Sequence, residues 1–440
     1  MKAIVRLLEK TNNIERSTYV WNAISATMLA MQSPVILAVM SRTNGIRDAG
    51  IFSIAIAVAN LMMYVGQYGL RRFQASDVKE QFSFEEYHGM RVLTCAALIV
   101  ASLAYCLIGQ SLRGYSPDKS IAIFLICMLK MLQAYSDVFH GNMQQKGRFD
   151  VSAKATAFRY IAEIIIFCGM LIATHNLIVA ASVCVGLSTI LMLLLSVNTG
   201  RYYCESIKPV FRAAAIKGLL IEGFPLFVSM FLNTYVGNAP KYAIDSYLND
   251  DIQAIFGYLF MPAFVVQITA QFIFNPVITT YAHIWTKQTR EAHEEFTRRI
   301  KKMCVLVLGL TALGLIVAAT IGIPVLSAVF GVDLSEYRRE LCIIMLGGGL
   351  LAFATYFSTI IAIIRVQKSL IVCYGIVSAM SLALSGIFVK PYGVYGAAWL
   401  YVILMGVLAL SLFIAMKVKL DQQKSSLPVQ GQTAVNRDVQ

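Results

Sequence analysis

The sequence predicts an all-α integral membrane protein. Twelve transmembrane helices form two six-helix lobes around a central cavity, with both termini in the cytoplasm. Three observations lead there. Of 440 residues, 58% are hydrophobic and 14% charged, more apolar surface than a soluble core hides. The apolar residues gather into twelve runs, each long enough to cross a hydrocarbon core of about 30 Å. The basic residues sit between the runs, with a strong bias toward one side.

The runs cover 17–41, 50–69, 92–110, 120–139, 156–173, 178–197, 218–236, 252–279, 303–330, 341–364, 370–388 and 394–416. Every backbone polar group must be satisfied inside lipid, so each run is read as a helix. Only Thr174-His175-Asn176-Leu177 marks the turn between the fifth and sixth. With the N-terminus in the cytoplasm, the inside segments 1–16, 70–91, 140–155, 198–217, 280–302, 365–369 and 417–440 carry 27 of the 37 Lys+Arg. The outside segments carry 8, and Lys130 and Arg159 lie within spans. This bias orients the chain. The first run is too long for the apolar core of a signal peptide and is expected to stay as span 1.

Several function classes fall away. A net charge of +13 could suggest nucleic acid, but the basic residues do not cluster on one amphipathic domain. There is no GxxxxGK[ST] phosphate loop and no HExxH. The nine cysteines show none of the spacings of a zinc site or disulfide framework and read as packing residues. No cofactor or metal is expected. The outside loops are short, and catalytic carboxylates do not cluster, which counts against a membrane glycosyltransferase or polysaccharide polymerase. The protein is not expected to be an enzyme.

The chain divides at 198–217. Segment 1–16 is a cytoplasmic N-terminus, 17–197 the first lobe, 198–217 a linker, 218–416 the second lobe and 417–440 a disordered tail. Segment 280–302 reads as a helix lying on the cytoplasmic interface, with Ile284, Trp285, Phe296 and Ile300 on its apolar face. A faint repeat supports two halves. Shifting the first by 204 positions places Ile51-Phe52 on Ile255-Phe256, Gln67 on Gln271 and Arg71 on Asn275. Parallel repeats of this kind are a transporter signature, with the site between the halves.

Polar residues inside the spans then become candidates, because a charge at membrane depth costs about 2.5–3.5 kcal/mol on insertion scales. Asn60, Tyr64, Gln67 and Arg71 recur at helical spacing and form a polar stripe. The stripe reads as one wall of a polar cavity with Arg71 at its cytoplasmic mouth. Arg72 is rotated off the stripe and reads as an anchor. Gln267, Gln271 and Asn275 form a second row. These amides could equally be interhelical glue.

Lys130 lies too deep to snorkel. Gln133 and Asp137 follow it on the same face, so Lys130 either faces a water-filled cavity or pairs with an acid such as Asp137. Arg159 and Glu163 are spaced to pair locally or to line the same cavity. Lys241 and Arg42 lie at the outside end, where headgroup anchoring is the plainer reading. Glu222 sits in a proline-containing span with Pro225. A desolvated carboxyl tends to hold a proton, so Glu222 and Glu163, with Asp137, are candidates for coupling to a proton or sodium ion. A headgroup-facing Glu222 is the alternative. A ladder of cations through an apolar protein suits an anionic cargo, since Arg and Lys bind phosphate by charge-assisted hydrogen bonds.

Three stretches carry a family resemblance: SRTNGIRDAGIFSIAIAVANLMMYVGQYGLRR; GFPLFVSMFLNTYVGNAPKYAIDSYLNDDIQAIFGYLFMPAFV with FIFNPVITTYAHIW; and the Gln144, Gln145, Arg148 and Arg159 pattern. Through them the chain resembles bacterial polysaccharide (O-antigen/capsule) flippases, the Wzx-like branch of the multidrug/oligosaccharidyl-lipid/polysaccharide exporter superfamily. The resemblance implies two lobes facing each other in a V around a cationic cavity. It implies a cargo of oligosaccharide linked by diphosphate to a polyprenol, made inside and released outside the cell membrane for lipopolysaccharide, capsule or exopolysaccharide assembly. A polysaccharide polymerase and export machinery would be partners, alongside membrane lipids. Arg71, Lys130, Arg159 and Lys241 match the family's cavity cations by type and depth. The related lipid II flippases usually have fourteen spans, so stopping at twelve favours a polysaccharide precursor. The rival within the superfamily is a cation-coupled multidrug exporter, which would want an acidic, aromatic cavity.

Overall fold

The helices follow from the apolar runs of the sequence, and capping side chains mark several of their starts. The structure is a computed structural model and describes residues 2–77, 80–274 and 277–426; among them there is helix and no strand. In chain order the helices are α1 (Lys2–Glu9), α2 (Ile14–Thr43), α3 (Ile46–Gln67), α4 (Leu70–Ser76), α5 (Phe84–Arg113), α6 (Pro117–Gln145), α7 (Phe149–Thr174) and α8 (Leu177–Leu191). A π-helical turn, Met192–Val197, leads into the short α9 (Asn198–Gly200). There follow α10 (Ala213–Tyr247), α11 (Asp250–Phe274), α12 (Ile278–Thr286), α13 (Arg290–Val317), α14 (Ile323–Phe330), α15 (Arg338–Ile363) and α16 (Lys368–Ser426).

Side chains cap the free N–H groups at several helix starts. Asn13 accepts from Arg16 N, Ser116 from Lys119 N, and Asn176 from Val179 N. Ser83 and Glu86 form a reciprocal capping box at the start of α5. His175 closes α7 in the left-handed conformation, so the turn between the fifth and sixth spans falls where the sequence placed it.

Ten stretches among the described residues are long and apolar enough to cross a membrane. One of them, Lys368–Ser425, holds two expected spans. Its backbone leaves helical geometry at Gly393 (φ 56°, ψ −131°), between the runs 370–388 and 394–416. With α11 as a further span, twelve crossings remain the reading.

Three expectations are corrected. The polar stripe is not one helix face, because α3 stops at Gln67. Tyr68 and Gly69 both take positive φ (49° and 70°), and Arg71 belongs to the separate α4. Gly69 is suited to this bend, since only glycine adopts the left-handed region at little cost. The 280–302 segment is not one helix. It breaks at Gln288 (φ 47°), after which Thr289 caps α13. Residues 417–426 of the expected disordered tail are helical, with Leu420 buried and no Gly or Pro to interrupt them; residues 427–440 lie outside the described residues.

By contacts the chain forms two units, residues 1–257 with 328–332, and residues 258–327 with 333–440. The segment 198–217 lies inside the first. There α3 and α6 are interior helices and pack on each other, while α2 packs along α7. Phe52 of α3 meets Phe167 of α7 at 5.8 Å. Lipid gives little hydrophobic drive between helices, so such close packing does much of the stabilising. In the second unit α15 is the hub, against α13 and α16. Its Gly347 lets the Tyr401 ring approach so closely that an added Cβ would stand 2.4 Å from the ring.

Candidate functional site

The break after α3 builds the first part of the site. Ending the helix at Gln67 frees the Gly66 carbonyl, which accepts from Arg91 Nη1 and from Thr94 Oγ1 at 2.7 Å. Arg91 is fully buried (0% exposed). Its Nη2 lies 3.5 Å from Asp137 Oδ2, and the other carboxylate oxygen receives Arg71 Nη1 at 2.9 Å. One acid therefore stands between two guanidiniums. Arg71 also reaches Gln144 Oε1 at 3.5 Å, lies 5.7 Å from the Phe149 ring centroid, and keeps a third of its side chain (33%) exposed. The Lys130–Asp137 pairing weighed from the sequence is not formed; Asp137 is taken by Arg71 and Arg91.

The second part lies further along the same face of α6. Lys130 Nζ donates to Gln133 Oε1 at 3.1 Å. Gln133 Nε2 and Gln32 Nε2 donate to Glu163 Oε2 at 3.4 and 2.8 Å. Ser188 donates to Glu163 Oε1, and Arg159 Nε forms an ion pair with that oxygen at 3.4 Å. Arg159 Nη1 donates to Ser136 Oγ at 2.8 Å. Gln32, Lys130, Gln133, Arg159 and Glu163 are all buried. The i, i+4 pair of Arg159 and Glu163 is thus made, and its carboxylate is also met by α2, α6 and α8. Paired and hydrogen-bonded, such a charge is tolerable; left alone it would be strongly unfavourable.

Other candidates lie elsewhere. Gln67 is half-buried at the end of α3, and Arg72 is exposed. Lys241 is buried on α10, and Glu222 is exposed on the same helix. Arg42 donates to the carbonyls of Ala328 and Val329, the latter at 2.9 Å, which gives it a helix-end role. The side chains of Gln267 and Gln271, and the whole of Asn275, lie outside the described residues.

The structure adds charged groups that the sequence did not single out. Arg91 was counted among the basic residues flanking a span. At the opposite ends of α5 and α6, Asp245 of α10 receives Lys119 Nζ at 2.8 Å, Arg113 Nη1 at 3.1 Å and the Tyr115 hydroxyl. Lys119 also meets Asp250 at 2.6 Å and lies 4.4 Å from the Tyr115 ring centroid. This cluster ties the α5–α6 turn to the α10–α11 turn. Sequence separations above 100 residues hide such partners, and the only available signal was an acid near a span end.

Chemically, the first unit concentrates positive charge in a dry setting. Arg71, Arg91, Lys130 and Arg159 face Asp137 and Glu163, an excess of cations that favours an anion.

No family model matches the chain, and no curated protein matches it. Solved structures are similar in fold. An inward-facing multidrug resistance MATE family transporter of the MOP superfamily aligns with a TM-score of 0.71 at 11% identity, over 92% of this chain and 99% of that one. Lipid II flippase MurJ in an inward closed conformation aligns at 0.67 with 14% identity, over 94% of this chain and 90% of that one. A MOP superfamily transporter from Pyrococcus furiosus, described as having a binding pocket of reverse polarity, aligns at 0.58 with 13% identity, over 96% and 98%. The chain therefore has the fold of MOP superfamily transporters.

Proposed function

We propose that this protein is a flippase of the Wzx-like branch, working in the cell (cytoplasmic/inner) membrane. It moves a polyprenyl-diphosphate-linked oligosaccharide from the cytoplasmic to the outer leaflet for surface polysaccharide assembly. Two six-helix lobes, with both termini in the cytoplasm, alternate access to a cavity between them. The sugar-diphosphate head crosses while the polyprenyl tail stays in lipid. No covalent bond is made or broken.

The observation that carries this reading is Arg71. It is the partly exposed member of a buried cationic group, and its carboxylate partner has a second guanidinium, Arg91, beside it. A diphosphate can take Arg71 without leaving Asp137 unpaired. Arg71 makes the first contact, and Lys130, Arg159 and Lys241, with the amides Gln67, Gln271 and Asn275, receive the head as the helices rearrange. Glu163, Glu222 and Asp137 are the groups through which a proton or sodium gradient would act. That a lipid II flippase shares the fold is consistent with a lipid-linked cargo. A cationic drug suits this site poorly, because Asp137 and Glu163 are already engaged by cations.

The test is deletion of the gene in its host. Short lipid-linked oligosaccharide should accumulate on the cytoplasmic leaflet while surface polymer falls. Unchanged leaflet distribution and unchanged surface polymer would overturn the reading.

A further inference from the structure

A small cavity lies between α2, α3, α6 and α7, lined by Gln32, Phe52, Ile56, Lys130, Gln133 and Phe167 among others. It has room for about one water-sized occupant, roughly 10 Å³. Its wall is mainly apolar, with Lys130 as the one charged side chain among the lining residues.

Lys130 is 6% exposed. An ammonium has three N–H donors, and among the described residues its one hydrogen bond goes to Gln133 Oε1. No carboxylate lies within ion-pair distance of it among the described residues. The nearby acid, Glu163, is already met by Arg159, Gln32, Gln133 and Ser188. Glu163 is therefore held by Arg159, and Lys130 has no carboxylate at ion-pair distance among the described residues. Burial of a charge without a counter-charge is unfavourable, and the cavity supplies a place for one.

We propose that this cavity is a binding site for a small monovalent anion, such as chloride, held by the Lys130 ammonium. A halide is little larger than water, carries a charge that a water molecule lacks, and tolerates apolar walls. The two remaining N–H donors of Lys130 call for an acceptor, and the missing counter-charge favours an anionic one. A diphosphate is far too large for the cavity as it stands, so this site is separate from the proposed first contact at Arg71.

The experiment uses the purified full-length protein in detergent. Thermal unfolding is followed in sodium chloride and in sodium gluconate at constant ionic strength. The expected result is a saturable upward shift of the midpoint with chloride. The shift should vanish in Lys130→Met and in Ile56→Phe, which fills the cavity but keeps the lysine. If Lys130→Met does not fold, Ile56→Phe alone decides. Crystals grown in bromide should show an anomalous peak within hydrogen-bond reach of Lys130 Nζ. Equal midpoints in the two salts, a chloride shift that survives in the folded variants, or water in place of bromide would each overturn the proposal. Stability and diffraction are the readouts, so failure here leaves the transport reading untouched.

Discussion

Asp137 separates the structural from the functional use of charge in the first unit. Its two arginines differ sharply in exposure, 33% for the Arg71 side chain and 0% for Arg91. Removing Arg71 leaves Asp137 beside Arg91, and a third of the Arg71 side chain is already exposed. The loss should resemble that of a partly exposed pair, about 1 kcal/mol or less. Asp137→Asn is different. It leaves Arg91 charged and fully buried with only the Gly66 carbonyl as a directed partner. Breaking a buried pair from one side costs roughly 3–5 kcal/mol, a large share of a typical total of about 5–15 kcal/mol. The double variant Asp137→Asn, Arg91→Met removes both buried charges and should recover part of that loss. The assay is the unfolding midpoint of each purified variant, beside its flipping rate. The account predicts that Arg71→Gln melts near the parent yet fails to flip, while Asp137→Asn melts well below it. Equal losses for Arg71→Gln and Asp137→Asn, or a double variant no better than Asp137→Asn, would refute the reasoning.

Further outcomes follow from the same geometry. Asp245→Asn removes the carboxylate of Arg113 and leaves Lys119 with Asp250 alone, so it should cost roughly 1–3 kcal/mol and raise amide exchange in the α5–α6 and α10–α11 turns; unchanged exchange would contradict the role given to Asp245. Glu163→Gln should lower both stability and gradient-driven transport, whereas Glu222→Gln, at an exposed position, should alter stability by no more than about 0.5 kcal/mol. Vesicle transport with and without a pH gradient checks both, and full gradient dependence in both variants would remove these acids from coupling. In a cysteine-free background, Arg290→Cys and Ser425→Cys should resist an impermeant thiol reagent in intact cells; labelling at either site would reverse the orientation.

Much of the fold was legible because membrane helices announce themselves by length and apolarity. The spans around Lys130 and Arg159 fall within helices of the structure, and the Arg159–Glu163 pair follows from helical spacing alone; Lys241, read at an outside end, is instead buried on α10. What escaped was local backbone choice and distant pairing. The stripe from Asn60 to Arg71 kept helical periodicity across Tyr68-Gly69, yet those two residues turn left-handed. Periodicity reports which residues could share a face, not whether the helix continues. Arg91 sits at the polar flank of an apolar run, where a headgroup anchor is the ordinary reading, and only the fold shows it enclosed beneath Gly66. Gln32 meets Glu163 across 131 positions, and Lys119 meets Asp250 across the same separation. No spacing rule connects residues so far apart.

The central claim is that Arg71 engages the diphosphate of a lipid-linked oligosaccharide during its passage between leaflets. The most direct measurement reconstitutes the purified protein in vesicles loaded with a fluorescent polyprenyl-diphosphate oligosaccharide and follows its arrival at the opposite leaflet. The account predicts flipping by the parent, partial flipping by Arg71→Lys, which keeps a point charge, and none by an equally well-folded Arg71→Gln. It also predicts competition by the unlabelled diphosphate carrier and none by a neutral lipid of the same chain length. Undiminished flipping by Arg71→Gln, or the absence of flipping by the parent protein, would contradict it.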